Sequence, residues 1–255
     1  MIQIKNAAEL QKMRKACAIS AAALKAGGEA IEPGITTAEI DKIIYDFIVR
    51  HGARPNFLHL YGFPATACIS VNDTVIHGIP NKQQQIRPGD IVSIDTGCKI
   101  DGFNGDNACT YACGKIDLEA QRLLDVTKES LHRGIEMACG GNRVGDIGHA
   151  VQSYVEENGF SVVRTFVGHG VGEHLHEEPE VPNYGKPGRG PRLIRGMVIA
   201  IEPMITAGGY AVRWLDDDWT VVTEDGSLAA HYENTILITE GEPEILTLSH
   251  TEEDL

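Results

Sequence analysis

Positive charge is scarce in this sequence: 22 Lys and Arg stand against 36 Asp and Glu, for a formal net charge of −14. That balance disfavours nucleic acid or an anionic membrane as the main partner. No apolar run is long enough to span a bilayer, since the longest near the N-terminus, Ala16 to Leu24, is interrupted by Lys25 and a span needs roughly 20 residues. With Lys12, Arg14 and Lys15 before it, this run has the outline of a secretory signal. Leu10, Met13, Cys17 and Leu24 nevertheless recur at helical spacing, so an amphipathic helix and a cytoplasmic chain are expected. Cysteine pairs at zinc or redox spacing are missing: residues 17, 68, 98, 109, 113 and 139 contain no CxxC and read as free thiols. Cys109 and Cys113 share a strand-like segment, where four residues span about 13 Å, beyond the roughly 7 Å Cα limit of a disulfide. A nucleotide loop is lacking too, because Val167-Gly-His-Gly-Val-Gly172 has neither the lysine nor the glycine spacing that would cradle phosphates. There is no low-complexity tract or linker, and a chain of 255 residues can bury one large core.

What is present is a weak internal repeat. Shifting the chain by 107 positions lays the segment Ile86 to Asp95 over Leu193 to Glu202, with Gly89 on Gly196 and Asp95 on Glu202. The same shift carries Ile40, Ile44, Phe47, Ile48 and Gly52 onto Ile147, Val151, Tyr154, Val155 and Gly159, an apolar helical face closed by glycine. A shift of 127 sets Asp106-Asn107 on Glu233-Asn234, so the second half is 20 residues longer between its two acids. Chance likeness between two amphipathic strands is the plainer explanation, but every matched acid ends an apolar run. The reading is one domain over 1–255 in two pseudo-equivalent halves, near 1–115 and 116–255, each supplying two carboxylates.

Periodicity predicts helices over 7–27, from a Thr36/Thr37 cap with Glu39 to His51-Gly52, over 117–139 and over 143–158. Strands are expected at 66–72, 91–98, 105–113, 161–167, 197–205, 210–214, 219–223, 228–232 and 234–239, with a turn at Asp101-Gly102 and a loop over 185–191. The fold class is α/β of the α+β kind.

A chain reversal near Ile100 to Gly102 would set Asp95 opposite Asp106, about 5 Å apart. Opposed aspartates repel unless a divalent cation lies between them. Taken singly, each acid reads as a solvated surface group and each histidine as a loop or core hydrogen-bonder. Asp95, Asp106, Glu202 and Glu233 at the ends of apolar strands, joined by His169 in its glycine-rich loop, read together as a two-metal site. His176, seven residues on, and His77 in His77-Gly-Ile-Pro80 add imidazoles on turns. Four carboxylates and one histidine make a hard ligand set suited to Mn²⁺, Fe²⁺ or Co²⁺, with Zn²⁺ or Ni²⁺ also compatible. Two such ions lower the pKa of water and polarise a carbonyl, which is the chemistry of metal-assisted hydrolysis.

Cys68-Ile-Ser-Val-Asn72, His77-Gly-Ile-Pro80, Ile94-Asp95 with Asp106, Gly168-His-Gly-Val-Gly172 with His176-Glu-Glu-Pro179, Ile201-Glu-Pro203 and Tyr232-Glu-Asn234 together resemble type I methionine aminopeptidases. The likeness covers nearly the whole chain. It implies a pita-bread fold, in which a curved antiparallel sheet of pseudo-twofold halves is covered by helices, and removal of N-terminal methionine from nascent proteins and peptides when the second residue is small. It further implies that Asp95, Asp106, His169, Glu202 and Glu233 hold two divalent ions, with Asp106 and Glu233 bridging. Glu202 would also shuttle a proton, and His77 and His176 would contact the scissile peptide. The partners implied are polypeptide N-termini, with the ribosome as a candidate, and a monomer is expected.

The methionine pocket departs from the family pattern. Cys68 and Trp219 match it, but Phe57, Leu60, Phe63 and Leu175 stand where Cys, Tyr, Tyr and Phe are common, and Asn104 replaces a histidine two residues before Asp106. A hairpin centred on Asp225-Gly226 would bring Trp219 opposite Tyr232, beside Glu233. Two rivals remain at this level: an Xaa-Pro-type aminopeptidase, which would usually carry an extra N-terminal domain, and a non-catalytic binding module on the same fold, which would have lost ligands.

Overall fold

Asn6 and Thr36 each accept hydrogen bonds from the free N–H groups of the turn that follows, and Glu9 and Glu39 return the bond to the cap. These two capping boxes start helices α1 (Ala7–Glu29) and α2 (Thr37–Arg50). The computed structural model describes residues 1–248, so the last seven residues of the expected domain lie outside the described residues. Two more helices follow, α3 (Leu118–Glu136) and α4 (Val144–Glu157). Helix α4 begins 107 residues after α2 and has the same 14-residue length.

The strands used below are β1 (Ala67–Val71), β2 (Thr74–Ile76), β3 (Ile91–Ile100), β4 (Phe103–Ala112), β5 (Gly168–Gly170), β6 (Glu177–Val181), β7 (Val198–Ile201), β8 (Met204–Thr206), β9 (Val212–Trp214), β10 (Val221–Thr223), β11 (Ala229–His231) and β12 (Glu233–Leu237). A nine-stranded sheet runs in the order β3-β4-β12-β7-β5-β6, with β1 beside β3 and two-residue strands at 54–55 and 244–245 on its margins. Every pairing in it is antiparallel. At its centre β4 and β12 pair Asn107 with Asn234, the two asparagines that the 127-residue shift superimposes. Two small sheets complete the fold, β11-β8 with 161–162, and β9-β10-β2.

The β3–β4 hairpin differs from expectation in register. Asp101 and Gly102 both have positive φ, 53° and 89°, as a two-residue turn twisted with its strands requires. Ile100 therefore pairs with Phe103, which sets Asp95 against Ala108 and Asp106 against Gly97. The two aspartates are diagonal neighbours, not directly opposed. A slip of two residues leaves side chains on the same face, so both acids still point the same way.

Two further expectations fail for identifiable reasons. The strand expected over 197–205 breaks at Glu202-Pro203 into β7 and β8, which belong to different sheets, because proline brings no N–H to the ladder. The hairpin on Asp225-Gly226 does not form: β10 pairs with β9 and β2, whereas β11 pairs with β8, Met204 against His231. Trp219 is thus not opposite Tyr232.

The helices cover the sheet with their apolar stripes. Ile40, Ile44, Phe47 and Ile48 of α2 are buried with Ile69, Val92 and Ile94, and α3 and α4 bury Leu123, Leu131, Ile147 and Val151 against Ile199, Ile201 and Ile236. Each such side chain contributes about 1.5–3 kcal/mol. The six cysteines are free. Among the described residues no helix is long and apolar enough to cross a membrane.

Candidate metal centre

Strand alternation decides where the acids go. Ile94 and Ile201 enter the helix-covered core, so the next residues, Asp95 and Glu202, turn the other way. Ala108 is the register partner of Asp95 on one side and of Glu233 on the other, and Asp106 lies two residues along the same strand face. A single methyl group thus sits at the point where three carboxylates converge. Across from Asp106 is Gly97, where a Cβ would stand 2.6 Å from the Gly105 carbonyl and 3.0 Å from Asp106 Oδ1. Only glycine leaves that space open.

His169 completes the group from β5. Its Nδ1 lies 2.9 Å from the Gly170 carbonyl, and since a carbonyl only accepts, Nδ1 carries the proton. Burial, with His176 beside it, pulls the His169 pKa down to about 4, so the ring is neutral and its Nε2 lone pair faces inward, 3.6 Å from Asp106 Oδ2 and 3.6 Å from Glu202 Oε1. That is how a metal-binding imidazole is held by its other nitrogen. Donor atoms of Asp106, His169 and Glu233 lie within 4.8 Å of one another.

The four carboxylates pay heavily for this arrangement. Burial, then neighbouring acids, pushes Asp106, Glu202 and Glu233 well above the usual carboxylate range, and burial lifts Asp95 to about 7. Asp95 Oδ1, Asp106 Oδ1 and Glu233 Oε1 are buried with no hydrogen-bond partner. Buried polar atoms are rarely left this way. Orphaned oxygens, a lone pair aimed at them and a hard donor set together fit divalent cations.

A cavity of about 620 Å³ opens over these residues and carries His77 and His176 on its walls. The ring of His176 meets that of His169 at 4.4 Å between centroids. His77 stands in the left-handed region at φ 58°, a conformation that costs a non-glycine residue of order 1 kcal/mol and gathers at functional sites. Burial lowers the pKa of both rings, His77 to about 4. The apolar end is formed by Phe57, Leu60, Phe63, Cys68 and Trp219, with Phe63 and Trp219 edge to face at 5.1 Å. Leu175 is buried in the same cluster but stands off the cavity surface.

Sequence reasoning passed over three residues. Tyr61 and Phe166 line the cavity, and nothing in their local pattern marks them. His231 brings Nε2 to 3.7 Å from Glu202 Oε2, buried and without a hydrogen bond. Its position immediately before Tyr232-Glu233 was the only clue. Asn104, the other departure, donates to the Gly172 carbonyl at 2.7 Å and so ties the hairpin to the loop between the two histidines.

The profile of metallopeptidase family M24 matches residues 11–240. A methionine aminopeptidase of Clostridium perfringens is 56% identical over 97% of this chain and 99% of its own. The chain belongs to metallopeptidase family M24, among its methionine aminopeptidases. The fold agrees with this assignment. The crystal structure of the methionine aminopeptidase of Thermotoga maritima superimposes with a TM-score of 0.96, at 44% identity, over 97% of this chain and 99% of that one. Another structural neighbour, the prolidase of Pyrococcus furiosus, reaches 0.79 at 25% identity and is covered over only 66% of its length. The architecture is the pita-bread fold of the M24 enzymes, and membership of a metallopeptidase family brings with it the use of divalent metal.

Proposed function

We propose that this protein hydrolyses the first peptide bond of nascent proteins and peptides, releasing N-terminal methionine when the second residue is small. The observation that carries the reading is the juxtaposition, in one cavity, of four clustered carboxylates, three of them with a buried unsatisfied oxygen, and an inward imidazole lone pair with an uncharged apolar pocket. Asp95, Asp106, His169, Glu202 and Glu233 would hold two ions, drawn from Mn²⁺, Fe²⁺, Co²⁺, Zn²⁺ or Ni²⁺, with Asp106 and Glu233 shared. Bound there, the ions would supply Lewis acidity and acidify water.

The rest falls to the chain's own groups. Glu202, its carboxylate held at high pKa by burial, takes the proton of the attacking water and returns it to the departing amine. Asn183 fixes its backbone by donating to the Glu202 carbonyl at 2.9 Å. Neutral His176 and His77 donate to the carbonyl oxygen as charge develops on it. The pocket of Phe57, Leu60, Phe63, Cys68 and Trp219, backed by Leu175, seats the methionine side chain and keeps water from it. We further propose that residues 1–255 act as one domain of two pseudo-equivalent halves, as a cytoplasmic monomer that meets its substrates at or near the ribosome.

The test strips the protein of metal, restores Mn²⁺, Fe²⁺, Co²⁺, Zn²⁺ or Ni²⁺ singly, and follows release from Met-Ala-Ser and Ala-Pro-Ser alongside bound-metal stoichiometry. Methionine release that returns with metal supports the reading. Preference for Ala-Pro-Ser would transfer it to the proline peptidases, and binding of metal without any cleavage would leave a non-catalytic module.

A further inference from the structure

Four rings run in sequence from the methionine pocket to the protein surface. Trp219 meets His77 at 6.2 Å between centroids, His77 meets Phe166 at 5.5 Å, and Phe166 meets Trp214 at 5.6 Å. The first two belong to the pocket and the scissile bond. Phe166 lines the cavity, and Trp214 stands 50% exposed. This row is built into the small sheet: Trp214 of β9 pairs with Val221 of β10, and Val221 pairs with Ile76 of β2, the residue before His77. The row therefore gives an unbroken series of ring contacts from the cavity to solvent, along which a substrate side chain can pack.

The charge of the neighbouring wall sets the sign of what fits. Glu178 and Glu180 of β6 line the same cavity. Glu178 takes the ammonium group of Met1 at 2.7 Å, whereas Glu180 has no ion-pair partner among the described residues. Arg164, the cation nearest Phe166 in sequence, is already held 4.4 Å from the Tyr210 ring and 3.8 Å from Glu156.

Resting on the aminopeptidase reading, we propose that Phe166 and Trp214 form a subsite for the side chain of the substrate's third residue, and that with Glu180 it favours arginine there. An extended peptide advances roughly 3.4 Å per residue, so a chain whose scissile bond lies at His77 passes Phe166 with its second residue and brings a long third side chain within reach of Trp214. The planar guanidinium stacks on an indole and pairs with a carboxylate in a way that a short or acidic side chain does not.

The experiment compares kcat/KM for Met-Ala-Arg-Ser, Met-Ala-Gly-Ser and Met-Ala-Asp-Ser on the Mn²⁺-loaded enzyme and its Trp214→Ala, Trp214→Phe and Glu180→Gln variants. Arginine should exceed glycine by at least about 3- to 5-fold, the worth of one exposed cation–ring contact, and aspartate should fall below glycine. Trp214→Ala should remove most of the arginine advantage through KM, leaving only what Glu180 supplies, with kcat for Met-Ala-Gly-Ser unchanged because glycine has no side chain to place on the ring. Trp214→Phe should keep part of it. Glu180→Gln should relieve the aspartate penalty. Equal kcat/KM for all three peptides, or an arginine advantage that Trp214→Ala leaves undiminished, overturns the subsite while leaving the aminopeptidase reading intact. Failure to cleave any of the peptides overturns that reading, and the subsite with it.

Discussion

The two ends of the cavity are stabilised in opposite ways. At one end, Phe57, Phe63, Cys68, Leu175 and Trp219 bury apolar surface against one another and gain from it without any ligand. At the other, Asp95, Asp106, Glu202 and Glu233 crowd together, with one oxygen each of Asp95, Asp106 and Glu233 orphaned, an arrangement that opposes folding until a cation offsets it. The comparison teaches which residues the fold keeps for its own sake. The apolar wall doubles as core; the acidic wall has no structural reason to exist.

The largest effect should come from breaking the acidic end. Asp106→Asn and Glu233→Gln each remove one carboxylate that both ions would share, and kcat should fall by at least about 10³-fold. In the metal-free state the same variants should melt no lower than the parent, because a like-charge repulsion has been removed. The parent should gain about 2.7 kcal/mol from metal at a hundred times its dissociation constant, and the variants much less. Kinetics and thermal melts with and without chelator check this, and near-parental turnover at full metal occupancy would remove these residues from the site.

Leu175→Ala should give the converse. Truncating a leucine this buried costs about 2–5 kcal/mol of stability through lost transfer energy and a residual cavity. Metal stoichiometry should stay unchanged. Denaturant melts set against metal analysis separate the two ends; loss of metal from this variant would show that they are coupled.

Between the two lies His176→Ala. This ring touches His169 but is assigned to the substrate, so kcat should drop by roughly 10²-fold, as expected for one transition-state donor, with metal content intact. A variant that releases metal would make His176 a ligand.

The two ends also differed in how far the sequence exposed them. Acids closing apolar runs are conspicuous, and the period-two face of a strand protected the inference from its own register error: Asp95 and Asp106 converge although they are paired with Ala108 and Gly97. Helix α2 was legible from Thr36 and Glu39, which cap it as their spacing suggested. Aromatic and aliphatic pocket residues look like any core, and only family likeness singled out Phe57 or Leu60. Tyr61 and Phe166 reach the cavity, and His231 reaches Glu202 behind it, from loops and strand ends through pairings distant in sequence, such as Met204 with His231. No local pattern encodes that pairing, which is why the hairpin expected at Asp225-Gly226 was wrong while the break at Glu202-Pro203 could have been read from its proline.

The smallest predicted effect tests the apolar end alone. A pocket walled by Phe57, Leu60, Phe63, Cys68 and Trp219 offers no charged partner, so Lys, Asp or Glu at the first position would be buried unpaired and should be rejected outright. Norleucine replaces the methionine sulfur by a methylene at nearly the same length, and differences of that size in an apolar pocket are worth about 1–3 kcal/mol at most. Norleucine-Ala-Ser should therefore be cleaved at a measurable fraction of the Met-Ala-Ser rate, with the loss confined to KM, because the substitution leaves the scissile bond and the acidic end untouched. A loss in kcat instead would mean that the fit of the first side chain governs alignment at Glu202 and His176, and that the two ends of the cavity do not act independently.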